Sequence, residues 1–473
     1  MKVIIVGAGI AGLSAAIGLR RSGHDVVVRK QASSFITAMP CSSRIDFYCS
    51  QILERSSLAH EVGAAIHVPP NASRILLKWG FDPKRAMLDN CSTVQNFDGL
   101  TLASLGDAKD LSFISAKYGA PWFLSHRVDL HNELKLLALG SGIEGKPAEL
   151  HLKSTVTAID LEKGQVTLQD GTSLEADLIV AADGVHSDAP TLVNGQPTPA
   201  HPTNVSAFRF LIPSEVIRED EESKSLLENQ ATMRIYIGDA GRRIVWYPCR
   251  DGRVQNFVAI FPEKDSAERK EGWNIKSTIE EFLKTYEGFH PQLLKVCKKA
   301  TEFKVWALLS RDPLEKWHRS RLVLIGDAAH PMLPHQGQGG SQAIEDGAAL
   351  GCVFSPGTPF FDPSPEALEE GLTLFKEVRR QRASAMQIFS SAGQDEAEKM
   401  REKARAFMKV GQKVPTNPGE FYDMNFGYDV FGDCENALER VGKEEGKEKE
   451  EVYMEGQEHG GFQPVPVLVQ AAF

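Results

Sequence analysis

A chain of 473 residues with 42% apolar and 25% charged content can bury a large core and build two or three domains. Its net charge of -10 provides no basic footprint, which argues against nucleic acid or an anionic membrane surface as a partner. No run reaches the roughly 18 apolar residues of a spanning helix, and Met1 leads into Val3 without a basic leader, so a cytoplasmic protein with no membrane span is expected.

The first element is an apolar strand, Val3 to Val6, set directly before Gly7-x-Gly9-x-x-Gly12 and followed by an alanine-rich helix. That context makes the glycines a dinucleotide fingerprint. Gly7 permits the tight turn, Gly9 lets the backbone approach a pyrophosphate, Gly12 packs helix on strand, and the helix N-terminus supplies amide donors. The next strand, His24 to Val28, ends in Arg29-Lys30, where an acid for the adenosine ribose is expected. Glu54, in Ile52-Leu53-Glu54, answers that need. It follows Gly12 by 42 positions, and removing the 23 residues Arg29 to Gln51 leaves 19, near the expected spacing of ~20. Arg29 to Gln51 thus reads as an insertion, either a retained intron or a surface loop. The same register predicts Glu54, not Lys30, at the carboxyl end of the second parallel strand.

Alternating segments at Val205 to Ile212, Met233 to Ile237, Arg243 to Tyr247 and Asn256 to Ile260 predict antiparallel strands between Thr203 and Trp306. A helical pattern follows at Ser277 to Tyr286. Arg321 to Ile325 then reads as a buried strand ending in a turn at Gly326-Asp327, whose carboxylate suits a polyol. Gly337-Gln338-Gly339-Gly340 opens a helix whose amides can face an anionic group. Beyond a linker at Ser355 to Pro365, a helix is predicted to Gln394, and Gly442 to Glu451 is a solvated charge run. The seven cysteines form no C-x-x-C pair, which predicts free thiols and supports neither a disulfide framework nor a metal site.

Together these motifs resemble the class A FAD-dependent monooxygenases, the salicylate-hydroxylase-like group. The resemblance extends through Glu61-Val62-Gly63-Ala64, Pro69-Pro70-Asn71, Ser125-His126-Arg127-Val128-Asp129 and Ala182-Asp183-Gly184-Val185-His186-Ser187, and covers most of the chain from Met1 to about Glu396. It implies an α/β fold: a Rossmann-like FAD-binding domain with an inserted, mainly antiparallel-sheet substrate domain and C-terminal helices. The expected divisions are 1–200 and 307–355 for the FAD-binding domain, 201–306 for the substrate sheet, 365–440 for the helices and 441–473 for a disordered tail.

Carried over residue by residue, the resemblance implies Glu54 on the adenosine ribose, Arg127 along the ribityl and pyrophosphate region, and Asp327 on the ribityl chain. Gly63 and Ala64 would pass beside the cofactor, with Asp183 and with Gly337, Gly339 and Gly340 at the flavin. One departure concerns cofactor handling: the arginine that the family usually carries a few residues after Ser187 is missing. The implied activity is hydroxylation of a small aromatic or electron-rich substrate, in the manner of secondary metabolism, using FAD, dioxygen and NADH or NADPH through a flavin C4a-hydroperoxide. Epoxidation, oxidative decarboxylation and an inactive flavin-binding remnant are the alternatives. Arg209 and Tyr247 match positions that point into the family's active site and are expected to touch substrate, with Tyr236 in reserve. Where related phenol hydroxylases place a histidine before the tyrosine, this chain has Arg243, which leaves His335 as a candidate base and His330 as a cap of the Gly326-Asp327 turn.

Overall fold

The apolar run after Met1 forms the fully buried strand Val3–Val6, which lies between Leu178–Ala181 and Ser50–Glu54, both parallel to it. Leu322–Leu324 extends the sheet in the same direction beyond Leu178–Ala181. These short strands are buried on both faces, as parallel strands covered by helices must be. Their carboxyl ends run directly into Gly7, Asp183-Gly184 and Gly326-Asp327. Three motifs distant in sequence thereby meet at one edge of the sheet, the edge at which open α/β sheets bind ligands. The computed structural model describes residues 1–24, 26–27, 50–54, 64–228, 232–263, 275–361, 364–392 and 398–443.

Glu54 ends the strand directly beside Val3–Val6, with Gln51 opposite Ile4 and Leu53 opposite Val6. Val26–Val27 does not continue into that strand. It pairs along its outer side, with Val26 opposite Ser50. Ser50 and Gln51 are therefore strand residues, and a boundary drawn at Gln51 is too late, because a polar Ser-Gln pair carries no apolar signal to announce the ladder. Arg29, Lys30 and the segment to Cys49 lie outside the described residues, as does Gly63.

The second sheet runs, in spatial order, Ile275–Ser277, Phe303–Ser310, His201–Pro213, Val254–Pro262, Arg243–Cys249, Met233–Ile237, Thr93–Asp98 and Lys109–Asp110. It is antiparallel except where Met233–Ile237 runs parallel to Thr93–Asp98. It takes two strands from before residue 200 and continues to Ser310, so the division at 201–306 is too narrow. Thr93–Asp98 joins its neighbours only through tertiary pairing, which no local pattern announces. Alternation gives this sheet two faces. Phe208, Phe210, Trp246 and Phe257 enter a closed aromatic core with Phe282 and Tyr286, while Arg209, Ile235, Val245 and Tyr247 turn toward the first sheet.

The helix Gly339–Val353 packs against Pro365–Phe389, whose start is capped by Ser364 Oγ accepting from the Ala367 N–H at 3.1 Å. A buried ionic lattice joins them. Arg379 donates to Glu345 Oε2 at 2.5 Å and to Asp346 Oδ1 at 2.9 Å, and Arg382 donates to Glu345 Oε1 at 2.9 Å. Arg382 also reaches Asn425 Oδ1 at 2.8 Å, which pins the helix Pro418–Phe426 against the same core. Residues 441–443 are helical and 444–473 lie outside the described residues. Cys91, Cys249, Cys297, Cys352 and Cys434 are free thiols, and among the described residues no helix is long and apolar enough to cross a membrane.

Candidate active site

A cavity of about 800 Å³ lies between the carboxyl edge of the first sheet and the outward face of the second. The glycine fingerprint shapes one end. Gly7 has φ +102°, and a Cβ there would fall 2.4 Å from the Ala182 carbonyl oxygen, so only glycine makes this turn. Nothing lies within 4 Å of a Cβ built on Gly9, whose backbone opens onto the cavity at the start of Ile10–Arg21. Gly12 is not part of the lining. A Cβ there would fall 1.9 Å from the Gly7 carbonyl oxygen, so its place is in the packing of helix on turn.

Asp327, Arg127, Asp183, Gly337, Gly339 and Gly340 also line the cavity. Among the described residues, no protein group donates a hydrogen bond to the Asp327 carboxylate. Burial raises its pKa, while His330, Arg127 and Arg311 act in the opposite sense. Such an acceptor, beside the uncapped N-terminus of Gly339–Val353, fits a polyol chain leading from a pyrophosphate to an electron-accepting ring. The donor and acceptor set therefore suits FAD. Ala64 lies just outside the lining, its carbonyl accepting from the Arg127 N–H at 3.0 Å.

The turn that presents Asp327 is held from behind. Asp346 Oδ2 accepts from the Gly326 N–H at 2.9 Å and from His330 Nε2 at 2.6 Å. Burial works against this carboxylate, but His330 and Arg379 outweigh it and hold its pKa at about 2. Asn71 donates to Glu345 Oε1 at 2.6 Å and to Gln338 Oε1 at 3.1 Å, which places the Pro69-Pro70-Asn71 motif under the same helix start. His330 is thus a structural partner of Asp346 and lies outside the lining, whereas His335 sits in the cavity wall on Pro334–Gln336.

Arg311 was not singled out from sequence. It donates to the carbonyls of Val185 at 3.0 Å, Ala328 at 2.9 Å and Thr198 at 2.8 Å, tying the Asp183-Gly184 and Gly326-Asp327 segments together. It directly follows the strand Phe303–Ser310 of the second sheet and so reaches the two motifs from outside both.

At the other end of the cavity, Arg209 and Tyr247 share the outward face of the second sheet. Arg209 stacks over Trp306 at 4.3 Å and has no ion-pair partner among the described residues. Burial lowers its pKa to about 10, so it remains charged near neutral pH. Tyr236 is on the opposite face, stacked on Phe97 at 5.2 Å, because alternation turns it away when Ile235 and Ile237 face the cavity.

His67 is the residue that sequence reasoning missed. It lines the cavity on Ala65–Val68, with its ring 4.8 Å from that of Tyr247, and a Cβ on Gly337 would lie 2.7 Å from its Nδ1. It forms no hydrogen bond with a described protein residue. Burial lowers its pKa to about 4, so the imidazole is neutral near pH 7. Its signal was positional: it follows Ala64 on a strand that enters the cavity from a motif already linked to the cofactor.

Residues 148–356 match a protein family described as an FAD binding domain, and residues 2–51 match a second family of the same description. The FAD-dependent monooxygenase phomE' of Diaporthe leptostromiformis is 38% identical over 393 residues, covering 82% of this chain and 96% of that protein. Hispidin-3-hydroxylase of Neonothopanus nambi is 30% identical over 454 residues, covering 93% of this chain and 97% of that protein. A salicylate hydroxylase substrate complex shares the fold, with a TM-score of 0.68 at 22% identity, covering 92% of this chain and 97% of that one.

Proposed function

We propose that this chain, which belongs to the FAD-dependent monooxygenases, hydroxylates a phenolic substrate with NADH or NADPH as reductant and dioxygen as oxygen source. The observation that carries this reading is the convergence of His67, Tyr247 and Arg209, without hydrogen-bond or ion-pair partners for their polar ends among the described residues, beside Gly337. Gly7 and Gly9 would hold the FAD pyrophosphate, Arg127 the adjoining region, Asp327 the ribityl hydroxyls and Glu54 the adenosine ribose. Asp183 and the backbone at Ala64, Gly339 and Gly340 would flank the flavin. The bound flavin supplies the redox chemistry and the oxygen activation.

A phenol entering the cavity presents its hydroxyl to His67, whose neutral imidazole accepts a hydrogen bond from it and takes the proton as the Arg209 charge offsets the negative charge developing on the oxygen. The Tyr247 hydroxyl, its pKa pushed well above that of an ordinary phenol by burial, stays protonated and donates to the resulting phenolate. The Arg209 charge stabilises the same anion. Deprotonation raises electron density at the ring carbons beside and opposite the oxygen, which prepares them to receive an electrophilic oxygen atom. Val245, Val258, Ile260 and Leu333 keep water from the reacting carbon.

The test is NADH and NADPH oxidation by the yellow holoenzyme against a panel of phenols, with product analysis, for the wild type and His67→Gln. The variant should keep its FAD and lose about 10²-fold or more in kcat. Failure of every phenol to stimulate oxidation would overturn the reading, and normal turnover of His67→Gln would remove the proton acceptor from it.

A further inference from the structure

The aromatic wall of the cavity continues beyond Tyr247 and His67. Four of its lining side chains follow one another edge to face: Tyr247 meets His67 at 4.8 Å, His67 meets Trp122 at 5.8 Å, and Trp122 meets Tyr422 at 6.0 Å between centroids. The sheet that lines the same cavity is longer still. From Trp306 to Lys109 it draws on seven adjacent strands, each about 4.8 Å from the next.

Tyr422 comes from the helix Pro418–Phe426, a region to which the sequence assigned no chemistry. The helix is fixed in place. Asn417 caps it by accepting from the Glu420 N–H at 3.0 Å, Tyr118 donates to Asp423 Oδ1 at 2.9 Å, and Arg382 donates to the Asn425 carbonyl at 3.0 Å. Pro418 of the same helix also lines the cavity. Tyr422 is only 6% exposed, yet among the described residues its hydroxyl has no hydrogen-bond partner. Tyr118, Tyr286 and Tyr428 each donate to a protein oxygen. A buried tyrosine hydroxyl ordinarily finds an acceptor, and here the cavity is the place from which one can come.

We propose that Tyr422 donates a hydrogen bond to a second oxygen of the substrate, and that the substrate is an extended aromatic at least two rings long. Its phenol end lies at His67 and Tyr247, and an ether or carbonyl oxygen on its far ring lies at Tyr422. This rests on the phenol reading for the near end and adds the length and the distal acceptor.

The test titrates the FAD-loaded protein with phenol, 4-hydroxystilbene and 4-hydroxy-4′-methoxystilbene, following the flavin absorbance, and follows NADH and NADPH oxidation in parallel. The wild type should bind both stilbenes more tightly than phenol and favour the methoxy compound about three- to tenfold, the effect of one neutral hydrogen bond. Tyr422→Phe, which keeps the ring stacked on Phe426, should erase that preference and leave 4-hydroxystilbene binding unchanged. Equal binding of phenol and the stilbenes, no methoxy preference in the wild type, or its survival in the variant would overturn the proposal. The wild-type comparison stands even if the variant does not fold. The expected preferences without NADH or NADPH oxidation by any compound would support the proposal and overturn hydroxylation instead.

Discussion

The imidazole of His67 meets the ring of Tyr247 edge-on, with centroids 4.8 Å apart and planes at 71°. That arrangement puts a neutral imidazole and a phenolic hydroxyl at one point of the cavity, beside a glycine that leaves room for the imidazole. It also sets the pH behaviour. The folded pKa of about 4 lies below the ordinary 6.5, so lowering the pH charges the unfolded chain first. His67 should therefore cost no stability above about pH 6.5 and an increasing amount as the pH falls toward 4. The acid limb of kcat/KM should likewise fall near pH 4 and disappear in His67→Gln. A limb near 6.5 that survives the substitution would assign the proton to another group.

Asp327→Ala should weaken FAD retention by about 1.5 to 3 kcal/mol, on the order of 10- to 150-fold in Kd, because a ribityl hydroxyl loses a charged acceptor. Glu54→Ala should also weaken it, while Lys30→Ala should not, since a carboxylate accepts ribose hydroxyls and an ammonium cannot. Equilibrium dialysis of the apoprotein with FAD measures all three. Unchanged affinity in Asp327→Ala would remove that residue from the cofactor.

Arg209→Ala and Tyr247→Phe should impair substrate-stimulated turnover more than FAD content. Both side chains face the cavity from the second sheet, away from the glycine fingerprint. Loss of FAD with normal turnover per bound flavin would reverse the assignment.

Arg379→Met should destabilise the protein by about 3 to 5 kcal/mol, because it leaves Asp346 and Glu345 buried with too little positive charge. Since Asp346 also holds Gly326 and His330, bound FAD should recover part of the loss. Denaturant midpoints with and without excess FAD separate the two effects. A change within the error of the midpoint would show the lattice to be dispensable.

Much of this architecture is written locally. The Gly7 turn is legible because a backbone at φ +102° excludes other residues, and the second sheet is legible because alternation at Met233–Ile237 and Arg243–Cys249 sorts each strand into two faces. The same alternation, applied strictly, would have removed Tyr236 in favour of its neighbours. What escaped reading depends on convergence. Thr93–Asp98 joins the sheet through pairing across more than a hundred residues, Arg311 bridges two motifs from outside both, and Tyr422 enters the cavity from a helix placed by Arg382. His67 lay between recognised motifs, and only its position against Tyr247 and Gly337 distinguishes it from a strand histidine packed in a core.

The most direct test of the central claim is product mass under labelled dioxygen. The holoenzyme, supplied with whichever of NADH and NADPH it oxidises, ¹⁸O₂ and a phenol that stimulates oxidation, should yield a product carrying one ¹⁸O atom on the ring, with the reductant consumed in equal amount. A product free of label, or consumption of the reductant accounted for entirely by hydrogen peroxide at saturating phenol, would contradict the account.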